Sequence, residues 1–137
     1  MRTKTLLLFI FLLTGMAFSQ QGGGKERIDF SMITVILRLQ HIESIKTYLE
    51  ESGYKNMDGV NFQNKNHKFV ITSVTDKGPF TYSESIDDKA RYDELLKDAL
   101  EYGLVVKTKN SRGEYELKGR GFQVSISKGY FVMEKLK

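Results

Sequence analysis

The chain predicts an α+β fold, with helices packed on one face of an antiparallel sheet. Three observations lead there. Between Asp87 and Gly103 apolar residues recur at helical steps. After Gly103 short segments alternate, most plainly Phe122, Val124 and Ile126 against Gln123, Ser125 and Ser127. Turn residues punctuate these segments, as in Ser127-Lys128-Gly129-Tyr130. Alternation of this kind gives a sheet one covered and one wet face, and helices are the natural cover.

The first segment is of another kind. Met1 to Thr5 is short and basic, Leu6 to Leu13 is an unbroken apolar run, and Ala17 and Ser19 are small residues before Gln20. That order is expected of a cleavable secretory signal peptide over 1–19. Leu6 to Phe18 counts 13 residues, short of the roughly 20 that a membrane-spanning helix needs. Residues 20–27, with Gly22, Gly23 and Gly24, read as a flexible spacer. No transmembrane segment is expected after cleavage, and there is no cysteine to carry a lipid anchor. The expected location is periplasmic or secreted.

Residues 28–137 read as a single α+β domain. Composition fits a folded core, at 40% hydrophobic and 12% aromatic. The absence of cysteine excludes disulfides, thiolate metal ligands and cysteine nucleophiles. The formal charge of +4 falls to +2 without Arg2 and Lys4, a level that serves solubility rather than nucleic-acid binding.

Asp29 or Ser31 is expected to cap a first helix carrying the stripe Ile28, Met32, Val35, Leu39, Ile42, Ile45 and Leu49. A break near Gln40-His41 is admitted, with a strand over Ile33 to Leu37 as the rival reading. Gly53 ends this helix. Strands follow at Val60 to Gln63, Lys68 to Thr75 and Phe80 to Ser83, with Asn64 to His67 as a hairpin tip. Ser85 or Asp87 is expected to cap the second helix, with Tyr92, Leu95, Leu96, Ala99 and Leu100 on its apolar face. Strands then fit Leu104 to Thr108, Glu114 to Leu117, Phe122 to Ser127 and Tyr130 to Glu134. The predicted core is Phe69, Ile71, Leu95, Leu96, Leu100, Phe122, Val124 and Ile126.

The halves 40–84 and 90–134 can be aligned. Gly53 matches Gly103, Phe62 matches Tyr115, Phe69 matches Phe122, and Lys77-Gly78-x-Phe80 matches Lys128-Gly129-x-Phe131. A tandem duplication of a helix-plus-meander unit and chance similarity are both open at this level.

No catalytic, cofactor-binding or metal-binding constellation emerges. His41 and His67 are the only histidines and lack metal-ligand spacing. Both read as solvated surface residues. Carboxylate pairs such as Asp87-Asp88 read as solvated helix acids, and no serine stands in a nucleophile turn. Charge is uneven: 84–101 carries −4 and 104–137 carries +5. The candidate binding residues are therefore the basic and tyrosine side chains Lys107, Lys109, Arg112, Tyr115, Lys118, Arg120, Lys128 and Tyr130. The function expected is an exported, non-catalytic binding domain of the bacterial envelope or secretome. Its partner would be another protein or an acidic envelope component, with an inhibitor-like protein-binding module as one form. A small envelope hydrolase is the alternative, requiring a cleft that joins a histidine, an acid and a nucleophile.

Leu95 to Val105 followed by Gly113 to Arg120 resembles the helix, glycine and β-wing of winged-helix DNA-binding domains, which implies nucleic-acid binding as a second alternative. The strand-like Phe69 to Tyr82 stands where that family has further helices. In architecture alone, a duplicated helix-plus-sheet unit is similar to tandem-repeat β-lactamase inhibitor proteins, a class that relies on disulfides absent here.

Overall fold

The structure, a computed structural model, describes residues 27–136. The expected signal peptide and all but the last residue of the spacer lie outside the described residues. Chain order is α1 (Phe30–Arg38), α2 (Ile42–Glu51), β1 (Lys55–Asp58), β2 (Asn61–Gln63), β3 (Lys68–Ser73), β4 (Phe80–Ser85), α3 (Lys89–Tyr102), β5 (Val105–Lys109), β6 (Tyr115–Gly119), β7 (Phe122–Ile126) and β8 (Tyr130–Lys135). The fold is mixed α+β, with three helices and one eight-stranded antiparallel sheet among the described residues.

The first helical stretch is two helices, broken where Leu39 and His41 are extended. Asp29 caps α1, its carboxylate accepting from the Met32 N–H at 2.9 Å. Ser31 is not the cap; its hydroxyl donates to the same Asp29 oxygen. Ile28, Ile45 and Leu49 of the expected stripe are fully buried, but within α1 the buried face is rotated from the expected one. Phe30, Ile33, Ile36 and Leu37 are buried, whereas Val35 is exposed. The β-branched run Ile33 to Leu37 is helical because its apolar residues cover a wide face that the core can bury, and burial outweighs a modest local propensity.

Asp88, one residue past the expected cap, starts α3, accepting from the Arg91 N–H at 2.7 Å. Leu95 and Ala99 are fully buried, but Leu100 is 45% exposed and leaves the predicted core. Leu96 is partly buried against it. The remaining predicted core residues, Phe69, Ile71, Phe122, Val124 and Ile126, are buried in one cluster with residues of all three helices.

Sheet order is β1-β2-β3-β4-β8-β7-β6-β5. Two four-stranded meanders thus meet at a seam between their last strands, where Tyr82 faces Met133 and Glu84 faces Phe131. Corresponding details recur in each meander. Gly53 and Gly103 both end helices at positive φ. The Tyr54 N–H donates to Leu49 O, and the Leu104 N–H to Ala99 O. Each edge strand slips register once, between Asn56 and Asp58 in β1 and between Val106 and Thr108 in β5. Followed inward from these points, the ladders set Phe62 in correspondence with Leu117, Phe69 with Val124, Tyr82 with Phe131 and Glu84 with Met133. The alignment of Phe62 with Tyr115 and Phe69 with Phe122 differs from this ladder correspondence by two residues. A slip of two leaves every side chain on its face, so the apolar pattern could not detect it.

Candidate functional site

Antiparallel connection puts the 63–68, 109–115 and 126–130 turns at one end of the sheet, together with the start of α3. A cleft of about 1070 Å³ opens there, between the β2–β3 hairpin, the end of β4 and the first turn of α3. Alternation along β4 sets the side chains at and behind it, of which Glu84 lines the cleft. Phe80, Tyr82 and Glu84 point inward from β4, and His67 stands on the same side as Phe69. The Asp88 cap fixes the first turn of α3 so that the Arg91 side chain enters the core.

Arg91 is 1% exposed, the largest fully buried side chain in the described residues. Its Nε donates to Glu84 Oε2 at 2.8 Å and its Nη2 to Glu84 Oε1 at 2.6 Å. Nη2 also donates to Ile28 O at 2.8 Å, and Nη1 reaches Glu94 at 3.4 Å. A forked guanidinium–carboxylate pair is the geometry in which a buried charge is best satisfied. Tyr82 donates to Glu84 Oε1 at 2.6 Å. With its single proton committed, the Tyr82 oxygen accepts from His67 Nε2–H at 3.3 Å. His67 itself borders the cleft.

His67, 8% exposed, is not the solvated hairpin histidine the sequence suggested. The short polar tip turns it under the hairpin, where its ring lies 5.6 Å from that of Phe69. Burial alone pushes the Glu84 carboxyl up, but hydrogen bonds from Arg91, His67 and Tyr82, with the Arg91 charge, hold it down at about 2. Burial likewise opposes the Arg91 charge, and Glu84 outweighs it and raises Arg91 above its ordinary value. Burial and the Glu84 charge keep the Tyr82 hydroxyl protonated well beyond its usual range.

The eight candidate binding residues are dispersed. Lys107 and Lys109 lie on β5, an edge strand exposed along its whole length. The register slip beside Lys107 breaks the simple alternation that would set the two on one face. Lys109 sits over the Tyr115 ring, 5.6 Å from its centroid. Arg112 pairs with Glu114 at 3.3 Å in the β5–β6 turn. Lys118 faces away from the buried Leu117, across from Gln123. Arg120 takes φ +56 in the β6–β7 turn, at the opposite end. Lys128 and Tyr130 stand at the cleft end, and Tyr130 lines the cleft.

A hydrolase would need a histidine, an acid and a nucleophile converging. His67 and Glu84 do border one cleft, but both Glu84 oxygens are occupied and Tyr82 is a weak, fully protonated hydroxyl. Ser83 and Ser85 line the cleft from the other face of the sheet. Among the described residues no group of three or more histidine or carboxylate side chains is placed to hold a metal ion. No helix there is long and apolar enough to cross a membrane. No protein-family model matches the chain, and neither a curated protein nor a solved structure does.

Proposed function

We propose that this chain is an exported, non-catalytic binding domain, periplasmic or secreted, whose partner is another protein that carries acidic groups. The helices cover one face of the sheet, and the partner docks on the other. The observation that carries this reading is the character of that second face. Across its middle run Val70, Ser83, Val132 and Ser125, short side chains in one cross-strand row. Eight strands about 4.8 Å apart span about 34 Å, a platform on the scale of a protein–protein interface rather than of a small-molecule pocket. Tyr130, exposed at its margin, offers the amphipathic anchor that such interfaces favour.

We also infer a tandem duplication, supported by the paired helix ends and by the register slips at corresponding places in β1 and β5. The slips fall at corresponding steps of the two ladders, between Asn56 and Asp58 and between Val106 and Thr108, which favours common descent.

The test uses the processed chain as bait against envelope extracts. Capture of one protein should be lost in Ser125→Arg and in Val132→Arg, with both variants folded by circular dichroism. Capture unaffected by both substitutions would overturn the docking face. Intact mass of the native protein should show a chain beginning near Gln20; a retained Met1 in a membrane fraction would overturn the export reading.

A further inference from the structure

The cleft floor contains more charge than the sheet needs. At the corresponding places in the second meander the chain has Phe122 for His67, Phe131 for Tyr82 and Met133 for Glu84. Those three are fully buried or nearly so, and close the same architecture with apolar contacts. A buried ion pair is seldom the more stabilising solution to packing, so a purely structural need does not account for the polar set in one half alone. The set also has an opening: His67, Glu84 and Arg91 all border the cleft.

We propose that this cleft receives a carboxylate side chain of the partner, with His67 as the group that meets it. The proposal rests on the protein-binding reading above and names the site at which the partner's acid is held. His67 Nε2–H is committed to Tyr82 and stands 3.5 Å from Glu84 Oε1, so a protonated ring is bracketed by an internal carboxylate on one side. A ligand carboxylate reaching the imidazole from the cleft completes the bracket on the other. The surrounding charges agree. Lys65 and Lys68 line the mouth from the hairpin, whereas Asp88 on the facing wall is taken by Arg27 at 3.2 Å. Asp87 is the remaining acid on that wall, and the Arg91 charge is neutralised by Glu84. The mouth therefore carries a net positive charge from the β2–β3 side, and a carboxylate bound beside an imidazole favours the charged form of the ring.

The test measures binding of a tetraglutamate peptide to the full processed chain by calorimetry at pH 6 and pH 8, with tetraglutamine as control. The expected result is binding of the acidic peptide alone, about tenfold tighter at pH 6. His67→Asn should abolish the pH difference. Lys65→Glu with Lys68→Glu, surface changes that leave folding intact, should weaken binding at least tenfold at both pH values. Equal binding of the two peptides, an unchanged pH difference in His67→Asn, or full affinity in the lysine double variant would overturn the proposal. So would inorganic phosphate displacing the peptide at a lower concentration than acetate does. If Ser125→Arg abolishes partner capture while the lysine variant does not, the cleft proposal falls and the docking face stands.

Discussion

Replacing Glu84 with glutamine tests the central network directly. The substitution keeps shape but removes the carboxylate charge: the amide retains one acceptor oxygen and turns the other into a donor, so the buried Arg91 charge is left with that oxygen, Ile28 O and a long contact to Glu94. The carboxyl sits at about 2 against an ordinary 4.5. At about 1.36 kcal/mol per pH unit that gap is worth about 3 kcal/mol, which agrees with the 3–5 kcal/mol typical of breaking a buried pair. The sign follows from a depressed pKa. The stabilisation is complete above about pH 4.5 and is lost as pH falls through about 2. Urea unfolding at pH 7 should therefore show Glu84→Gln weaker by about 3 kcal/mol, and the difference should shrink as pH falls towards 2. The double variant Glu84→Met with Arg91→Met imitates the apolar solution of the other half. Tyr82 can then donate to His67, so this variant should lie within about 1 kcal/mol of wild type. A loss below about 1 kcal/mol for Glu84→Gln at pH 7, or a gap that does not change with pH, would refute the reasoning.

Other expectations follow from burial and backbone. Leu95→Ala should cost about 2–5 kcal/mol by chemical denaturation, whereas Leu100→Ala, at a half-exposed position on the same helix, should cost less than about 1 kcal/mol. Gly103→Ala should destabilise by more than about 1 kcal/mol, because φ is +114 and a Cβ would stand 2.8 Å from Arg120 Nε; thermal melting measures it. The Tyr54 hydroxyl is buried without a hydrogen-bond partner among the described residues, and burial pushes its pKa up to about 12. Tyr54→Phe should leave stability unchanged or raise it by about 1 kcal/mol in urea unfolding.

Much of the fold was legible because its signals are local. Helix ends at Gly53 and Gly103 and the strict alternation of β7 depend on neighbours in sequence. Long-range geometry was not. Nothing near Leu100 says that α3 turns it outward, since Leu95, Leu96, Ala99 and Leu100 together span more of the helix than the sheet covers. The site was missed for a related reason. Phe80-x-Tyr82-x-Glu84 is one inward row ending in a carboxylate, and Arg91 stands four residues before Leu95 on the buried stripe of α3. Each charge looks misplaced alone, and only their meeting across the β4–α3 turn explains both. The two-residue slip between the halves was invisible because hydrophobic pattern reports the face of a strand and not its position along the ladder.

The seam between β4 and β8 has a consequence for synthesis. All pairings within each meander are between successive strands, so each half can assemble from short hairpins as it emerges. The middle of the finished sheet waits for the last strand to be made. Until then β4 presents an unpaired row of amides and carbonyls along Phe80 to Ser85, the kind of open edge that recruits other chains. A chain halted before Tyr130 would expose both β4 and β7. Ribosome-bound or truncated forms should therefore be the ones that aggregate or engage holding chaperones, and the closing of this one seam converts a sticky intermediate into a sheet whose free edges, among the described residues, are the short β1 and the lysine-bearing β5.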